Sequence, residues 1–279
     1  MYFCRNAIYE YRMIIVRILG GLGNQLFQYA YAKSLAEKGY HVKIDVSAFK
    51  NYKLHGGYHL DQFKIDLETS SSTENLFTKY FFNFPKKEKK LLFQEKFLKP
   101  FRNKYIKGYF QTEKYFEDIR PIFLKQFVVK KQLASSTIQY LEEINIKKNA
   151  CSVHIRRGDY ISDEKAAKIH GVCDLNYYKE AIKLMREKCG EVHFFVFSDD
   201  ISWVKKNLKI KNAIYIEHQV IPHEDLHLMS LCKHNITANS SFSWWAAWLN
   251  QHKNKIVIAP KQWFVNKENE VVCDNWIKL

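Results

Sequence analysis

The sequence predicts an α/β protein in two domains, the second of them doubly wound, and three observations carry that prediction. A strand, a glycine turn, a helix and a second strand follow one another from Met13. Five short apolar runs alternate with helical patterns over residues 150–279. The length, 279 residues, is long for one core and short for three.

The first unit begins with Met13–Leu19 (MIIVRIL), an apolar run expected to be a buried strand. It meets Gly20, Gly21 and Gly23 and then a helical pattern over Asn24–Lys38, with Leu26, Ala30 and Leu35 on one stripe. Gly39 stands where a C-terminal cap belongs. Val42–Val46 is the next strand, and the order β-α-β implies a parallel pair. Residues 65–105 change character: beyond the polar turn Ser70–Thr73 the stretch is aromatic and lysine-rich, and the region is expected to be helices and loops. Lys107–Gln111 (KGYFQ) is expected to return to the sheet as a strand.

The second unit is more regular. Strands are expected at Cys151–Arg156, Val192–Ser198, Ala213–Glu217, Asn235–Ala238 and Lys255–Ala259. Helices are expected at Asn176–Lys188, Ile201–Leu208, Leu226–Cys232 and Phe242–Asn250. The domains are placed at 13–130 and 150–279. Residues 131–149 are expected to be a polar, helix-forming linker, and residues 1–12 an extension outside the fold.

Composition narrows the function. Apolar residues make up 47% of the chain, which excludes wholesale disorder. A net charge of +15 suits a polyanionic partner or a phosphate-bearing substrate, and also a merely soluble lysine-rich surface. No arginine-rich arm or RNP-like motif is present, so nucleic acid is not the expected partner. The six cysteines lie too far apart for a C-x-x-C metal or redox site and are expected to be free thiols. No apolar run reaches 18 residues, so the expectation is a soluble, cytoplasmic protein with at most peripheral membrane contact. The charge run Lys86–Lys90 is either a solvated loop or a contact with an anionic membrane face.

Ligands of open α/β sheets bind beyond the C-terminal strand ends, and three segments place polar groups there. In His154-Ile155-Arg156-Arg157-Gly158-Asp159, two arginines follow a buried strand, where neither can be buried unpaired. A guanidinium fork matches a diphosphate, while an Arg157–Asp159 ion pair is the plainer alternative. Asn239-Ser240-Ser241 precedes a helix whose first amides are capped by hydroxyls or bind phosphate. In Ser198-Asp199-Asp200, one aspartate suits a helix cap and the other a base or ribose contact. Trp244, Trp245 and Trp248 are expected to pack. The turn Gly20–Gln25, with Gly21 and Gly23, matches neither G-x-G-x-x-G nor a P-loop and says only that backbone approaches something.

Five segments together resemble the α-1,2-fucosyltransferases of glycosyltransferase family 11. They are VRILGGLGNQLFQYAYAKSLA (Val16–Ala36), KGYFQTEKYF (Lys107–Phe116), VHIRRGDY (Val153–Tyr160), FSDD (Phe197–Asp200) and TANSSFSWWAAWL (Thr237–Leu249). The resemblance covers most of the chain from Met13 and implies a GT-B-like pair of Rossmann-type domains facing a cleft. It implies GDP-fucose in the C-terminal domain and a galactose-containing glycan on the N-terminal side. It also implies His154 near the guanine, Arg156 on the diphosphate, Asp199 or Asp200 at the guanine edge, Ser240 and Ser241 on phosphate, and Asn24 by the transferred sugar.

The family's metal independence agrees with the absence of D-x-D, so no cofactor is expected. The resemblance implies inversion at the anomeric carbon, and Asp159 is one candidate base. Another fucosyl linkage and a non-catalytic nucleotide-binding module are the alternatives. The sequence leaves the oligomeric state and the natural acceptor open.

Overall fold

A computed structural model describes residues 13–52, 56–81, 86–88, 92–100, 104–158, 171–218, 221–265 and 267–279. The chain divides into two compact units, Met1–Val128 and Val129–Leu279.

The first unit contains β1 (Met13–Arg17), α1 (Leu22–Glu37), β2 (His41–Asp45), α2 (Ser72–Phe81), β3 (Lys86–Lys87), β4 (Lys104–Lys107) and α3 (Arg120–Gln126). Its four strands are all parallel, in the order β2-β1-β4-β3. Order reverses between β1 and β4, so the loops after these two strands meet. The α1 helix starts two residues earlier than expected, which makes Gly21 its N-cap and puts Gly23 in its first turn. It ends at Gly39 as expected, where the Gly39 and Tyr40 amides bond to the Ala36 and Leu35 carbonyls.

The KGYFQ strand is corrected: the strand is Lys104–Lys107, and residues 108–112 form a loop. Phe110 there has φ 52°, held because the Glu88 carboxylate accepts from the Tyr109 and Phe110 amides (2.8 and 2.9 Å). Its ring stacks on Tyr31 of α1 at 3.8 Å.

The second unit contains α4 (Ser135–Ile146), β5 (Ala150–Ile155), α5 (Leu175–Cys189), β6 (His193–Ser198), α6 (Ile201–Asn207), β7 (Ala213–Tyr215), α7 (Pro222–Leu231), β8 (His234–Ile236), α8 (Ser241–Leu249), β9 (Val257–Ala259) and β10 (Ile277–Lys278). The sheet order is β10-β9-β8-β5-β6-β7, parallel throughout. Every residue of β5 is buried, as a strand covered by helices on both faces must be, which is why ACSVHI shows no alternation. The core gathers Val153, Ile155, Phe194 and Val196 from the strands with Tyr178, Met185 and Val204 from the helices.

Residues 131–149, expected as a linker, are not one. They form α4, which belongs to the second unit and packs on α7. Thr137 and Ile144 are buried, and the Thr137 hydroxyl donates to the Glu224 carboxylate. That carboxylate also accepts from the Ala134 amide at 3.2 Å. The partner lies some 90 positions along the chain, so no local pattern announces it. Among the described residues no helix is long and apolar enough to cross a membrane. The described cysteines are free.

Candidate functional site

The strand order of the second unit turns around between β5 and β8, and in such sheets ligands bind in the crevice outside the carboxyl ends of that pair. Arg156-Arg157-Gly158 comes directly after β5, while Thr237 to Ser240 and the start of α8 come directly after β8. The His154 ring lies 5.6 Å from the Phe242 ring, so the end of β5 and the first turn of α8 are neighbours.

The loop after β5 is fixed by Asp199. Its two carboxylate oxygens accept from the Arg157 and Gly158 amides at 2.9 and 3.0 Å, and Oδ2 pairs with the Arg156 guanidinium at 3.1 Å. The approach is so close that a Cβ on Gly158 would meet Asp199 Oδ2 at 2.7 Å. Asp200 is the N-cap of α6, accepting from the Trp203 amide at 3.1 Å. One aspartate therefore caps, as expected. The other, expected at a base or ribose, is engaged with its own chain.

The two arginines differ. The Arg157 guanidinium lies flat over the Trp203 ring, 3.3 Å from its centroid, with Nε 3.6 Å from Asp200. It is committed to packing. The Arg156 side chain keeps about a quarter of its surface exposed and has Asp199 as its ion-pair partner. Asp159, the candidate base, lies outside the described residues.

His154 is buried at the end of β5, and its Nδ1 has no hydrogen-bond partner among the described residues. Loss of solvent, together with the nearby Arg156 charge, pushes its pKa down to about 3. The ring is neutral at physiological pH. Unfolded, it takes a proton near pH 6.5. Between about 3 and 6.5 the unfolded chain therefore binds more protons, and stability falls as the pH is lowered. His234, lowered to about 4 by burial first and Lys233 second, acts in the same direction. His218, raised chiefly by its hydrogen bond to Asp225, acts oppositely. For His154→Gln we expect the loss of stability between pH 6 and 4.5 to be shallower by about 1.4 kcal/mol per pH unit. Urea unfolding at several pH values checks this, and an unchanged slope contradicts it.

At the α8 end, Ser240 is the N-cap, but its side chain makes no capping bond. Ser241 opens the first turn, whose leading amides point out of the helix without a capping side chain at Ser240. Helix-start amides of this kind are anion donors. Asn239 instead braces surrounding loops. Its amide donates to the Gly171 and Trp263 carbonyls at 3.3 and 3.4 Å, and its carbonyl accepts from Cys173. Behind this turn, Trp244, Trp245 and Trp248 are buried, as expected.

The glycine turn belongs to the first unit. Of its three glycines only Gly20 needs a left-handed backbone (φ 91°), and there the Asn24 side chain folds back over it. Asn24 Oδ1 accepts from Gln111 Nε2 at 2.7 Å, and Gln28 Nε2 donates to the Gly108 carbonyl at 3.0 Å. The two family-like segments of this unit thus lock together where its strand order reverses.

Sequence reasoning missed Trp203, Phe242 as the neighbour of His154, and a buried polar cluster at the start of α7. There His218 Nε2 and Asp225 are 2.6 Å apart, and Glu224 accepts from Thr137. The Arg157–Trp203, His154–Phe242 and Thr137–Glu224 contacts have no local signal, because each joins distant parts of the chain. No group of three or more His, Cys, Asp or Glu among the described residues is arranged to hold a metal.

The sequence profile of glycosyl transferase family 11 matches residues 59–279. An alpha-1,2-colitosyltransferase of Escherichia coli is 37% identical, over 96% of this chain and 99% of its own. The O-antigen biosynthesis glycosyltransferase WbnK of Escherichia coli is 34% identical, over 93% and 98%. The mouse galactoside 2-alpha-L-fucosyltransferase Sec1 is 26% identical over 51% of this chain and 41% of its own. Among solved structures, the fucosyltransferase NodZ from Bradyrhizobium shares the fold, with TM-score 0.51 over 85% of this chain and 92% of that one at 14% identity. The fold class is GT-B. With the profile across most of its length and two relatives matched nearly end to end, the chain belongs to glycosyltransferase family 11.

Proposed function

We propose that the chain transfers L-fucose from GDP-fucose to the 2-hydroxyl of a terminal galactose, with inversion and without a metal, in surface-polysaccharide assembly on the cytoplasmic side. The observation that carries the donor half is the meeting of Arg156, neutral His154 and the first turn of α8 at the β5/β8 switch point. Breaking the sugar–phosphate bond gives an oxocarbenium-like sugar and a nucleoside diphosphate that gains negative charge. Arg156, the Ser240 and Ser241 hydroxyls and the α8 amides are suited to take up that charge in place of a metal. His154 offers a neutral ring nitrogen to the base. Asn24 is the residue assigned to the sugar side. The 1,2 linkage is favoured by the name of the 37% identical relative.

That same name favours a second donor. Colitose is L-fucose without its 3-hydroxyl, so one site can be built for either sugar. The discrimination is asymmetric. A pocket that hydrogen-bonds a hydroxyl rejects the analogue lacking it by about 10⁴–10⁵, whereas a pocket shaped for the missing hydroxyl rejects the hydroxylated sugar by only about 10². Assays in EDTA with lactose or N-acetyllactosamine, each GDP-sugar in turn, and linkage analysis of the product decide between them. A fucosyltransferase is expected to give an α-1,2-fucosylated galactose with kcat/KM for GDP-fucose at least about 10³ above that for GDP-colitose. A modest preference for GDP-colitose selects the second donor. Another linkage, or dependence on added metal, overturns the reading.

A further inference from the structure

Helix α2 is inside out. The side it buries is polar: Asn75 and Thr78 are 4% and 2% exposed, and Asn75 accepts from the Ser70 hydroxyl at 2.7 Å. Flanking them, Glu74 pairs with Lys43 of β2 at 2.9 Å. Lys79 pairs with Asp45 of β2 at 3.6 Å and lies 4.3 Å over the Tyr105 ring of β4. The polarity of this packing comes from the strands. Lys43, Asp45 and Tyr105 alternate with the apolar Val42, Ile44 and Ile106 and project from the other face of the sheet. The outward side of α2 carries Leu76, Phe77 and Tyr80, 58%, 47% and 78% exposed. Positions i, i+1 and i+4 share one side of a helix. A helix that hides an amide and a threonine hydroxyl and shows its leucine and aromatics is arranged for contact beyond its own fold.

We propose that this outward side of α2 is a membrane-contact surface whose occupant is the interfacial layer of an anionic lipid bilayer. Charge favours that occupant. From Leu76 to Lys107 the sequence has ten Lys or Arg and only two acidic residues, Glu88 and Glu95. Glu88 is taken up by the Tyr109 and Phe110 amides. This stretch therefore holds about half of the chain's net charge of +15. Area argues against a second copy. Three partly exposed side chains offer on the order of 300 Å², against about 800 Å² per partner in a standard interface. Among the described residues the outer side of α2 is the convex surface of a helix, whereas a sugar ring requires a concave pocket. An apolar and aromatic helix side within a lysine-rich stretch of sequence is the composition of interfacial segments. The inference is independent of the donor and acceptor.

The test is co-sedimentation of the full chain with phosphatidylcholine vesicles, with or without an equal part of phosphatidylglycerol, at low and high salt. Wild type is expected to partition only onto the anionic vesicles, more strongly at low salt. In Leu76→Ser/Phe77→Ser/Tyr80→Ser the partition coefficient should fall at least about 10-fold with the thermal midpoint retained. Phe77→Trp keeps the surface intact and should show a blue-shifted emission on anionic vesicles. No wild-type partitioning, or equal partitioning of the triple variant, overturns the proposal. So does a triple variant that changes the oligomeric mass, or one that raises the KM for a soluble glycan acceptor. Those two results assign the surface to a second copy or to the acceptor. The vesicle assay uses no sugar nucleotide, so its failure leaves the glycosyltransferase assignment standing.

Discussion

Arg156→Ala is expected to lower kcat/KM for transfer by about 10²–10³ while leaving the second unit folded. Its guanidinium stands partly exposed at the β5/β8 switch point, whereas the neighbouring Arg157 is stacked on Trp203. Its loss leaves Asp199 with two backbone amide donors, so the carboxylate is not stranded and the loop after β5 keeps its anchor. Arg156→Lys should recover only part of the loss, because an ammonium cannot make the two parallel bonds of a guanidinium fork. Steady-state kinetics together with a melting curve check this. Near-normal turnover, or a large fall in melting temperature, contradicts it.

Trp244→Ala has the opposite signature, a loss of about 3–5 kcal/mol in stability that takes donor binding with it. Trp244 is fully buried and stacks on Trp248 at 5.8 Å, with Trp245 and Trp276 also against it. Its indole donates to the Val271 carbonyl at 2.7 Å, which pins the C-terminal segment to α8. Truncation opens a cavity and removes that donor together. Trp244→Phe should keep most of the packing and lose mainly the hydrogen bond, at about 1–3 kcal/mol. Urea unfolding ranks the three proteins, and an alanine variant as stable as wild type contradicts the packing account.

The features legible in the sequence were those that depend on near neighbours. The strands and helices of the second unit lie within a few residues of where apolar runs and caps placed them. Buried parallel strands such as β5 and β6 are continuous apolar runs, and the helices between them carry their own start signals, Asp174 and Asp200. His154 and Arg156 lie at the end of β5 and Ser240 and Ser241 at the start of α8, places the sequence indicated because strand ends and helix starts are themselves local.

The features that stayed hidden depend on partners far along the chain. Phe110 takes a left-handed backbone because of Glu88, 22 positions earlier, so KGYFQ is a loop and not a strand. The α4 helix joins the second unit through Glu224, and nothing in 131–149 signals that contact. The two-residue strands β3 and β10 are too short for any periodicity. Asp199 and Asp200 are adjacent and chemically alike, and only tertiary structure separates the loop anchor from the helix cap.

The proposed site of the nucleoside diphosphate lies where β5 and β8 end. Amide hydrogen exchange with and without GDP, in EDTA, tests it most directly. Slowed exchange at Ile155–Gly158 and at Ser240–Ser243, weakened in Arg156→Ala, is the expected result. Protection confined to the Gly20–Asn24 turn, with none after β5 and β8, would contradict it.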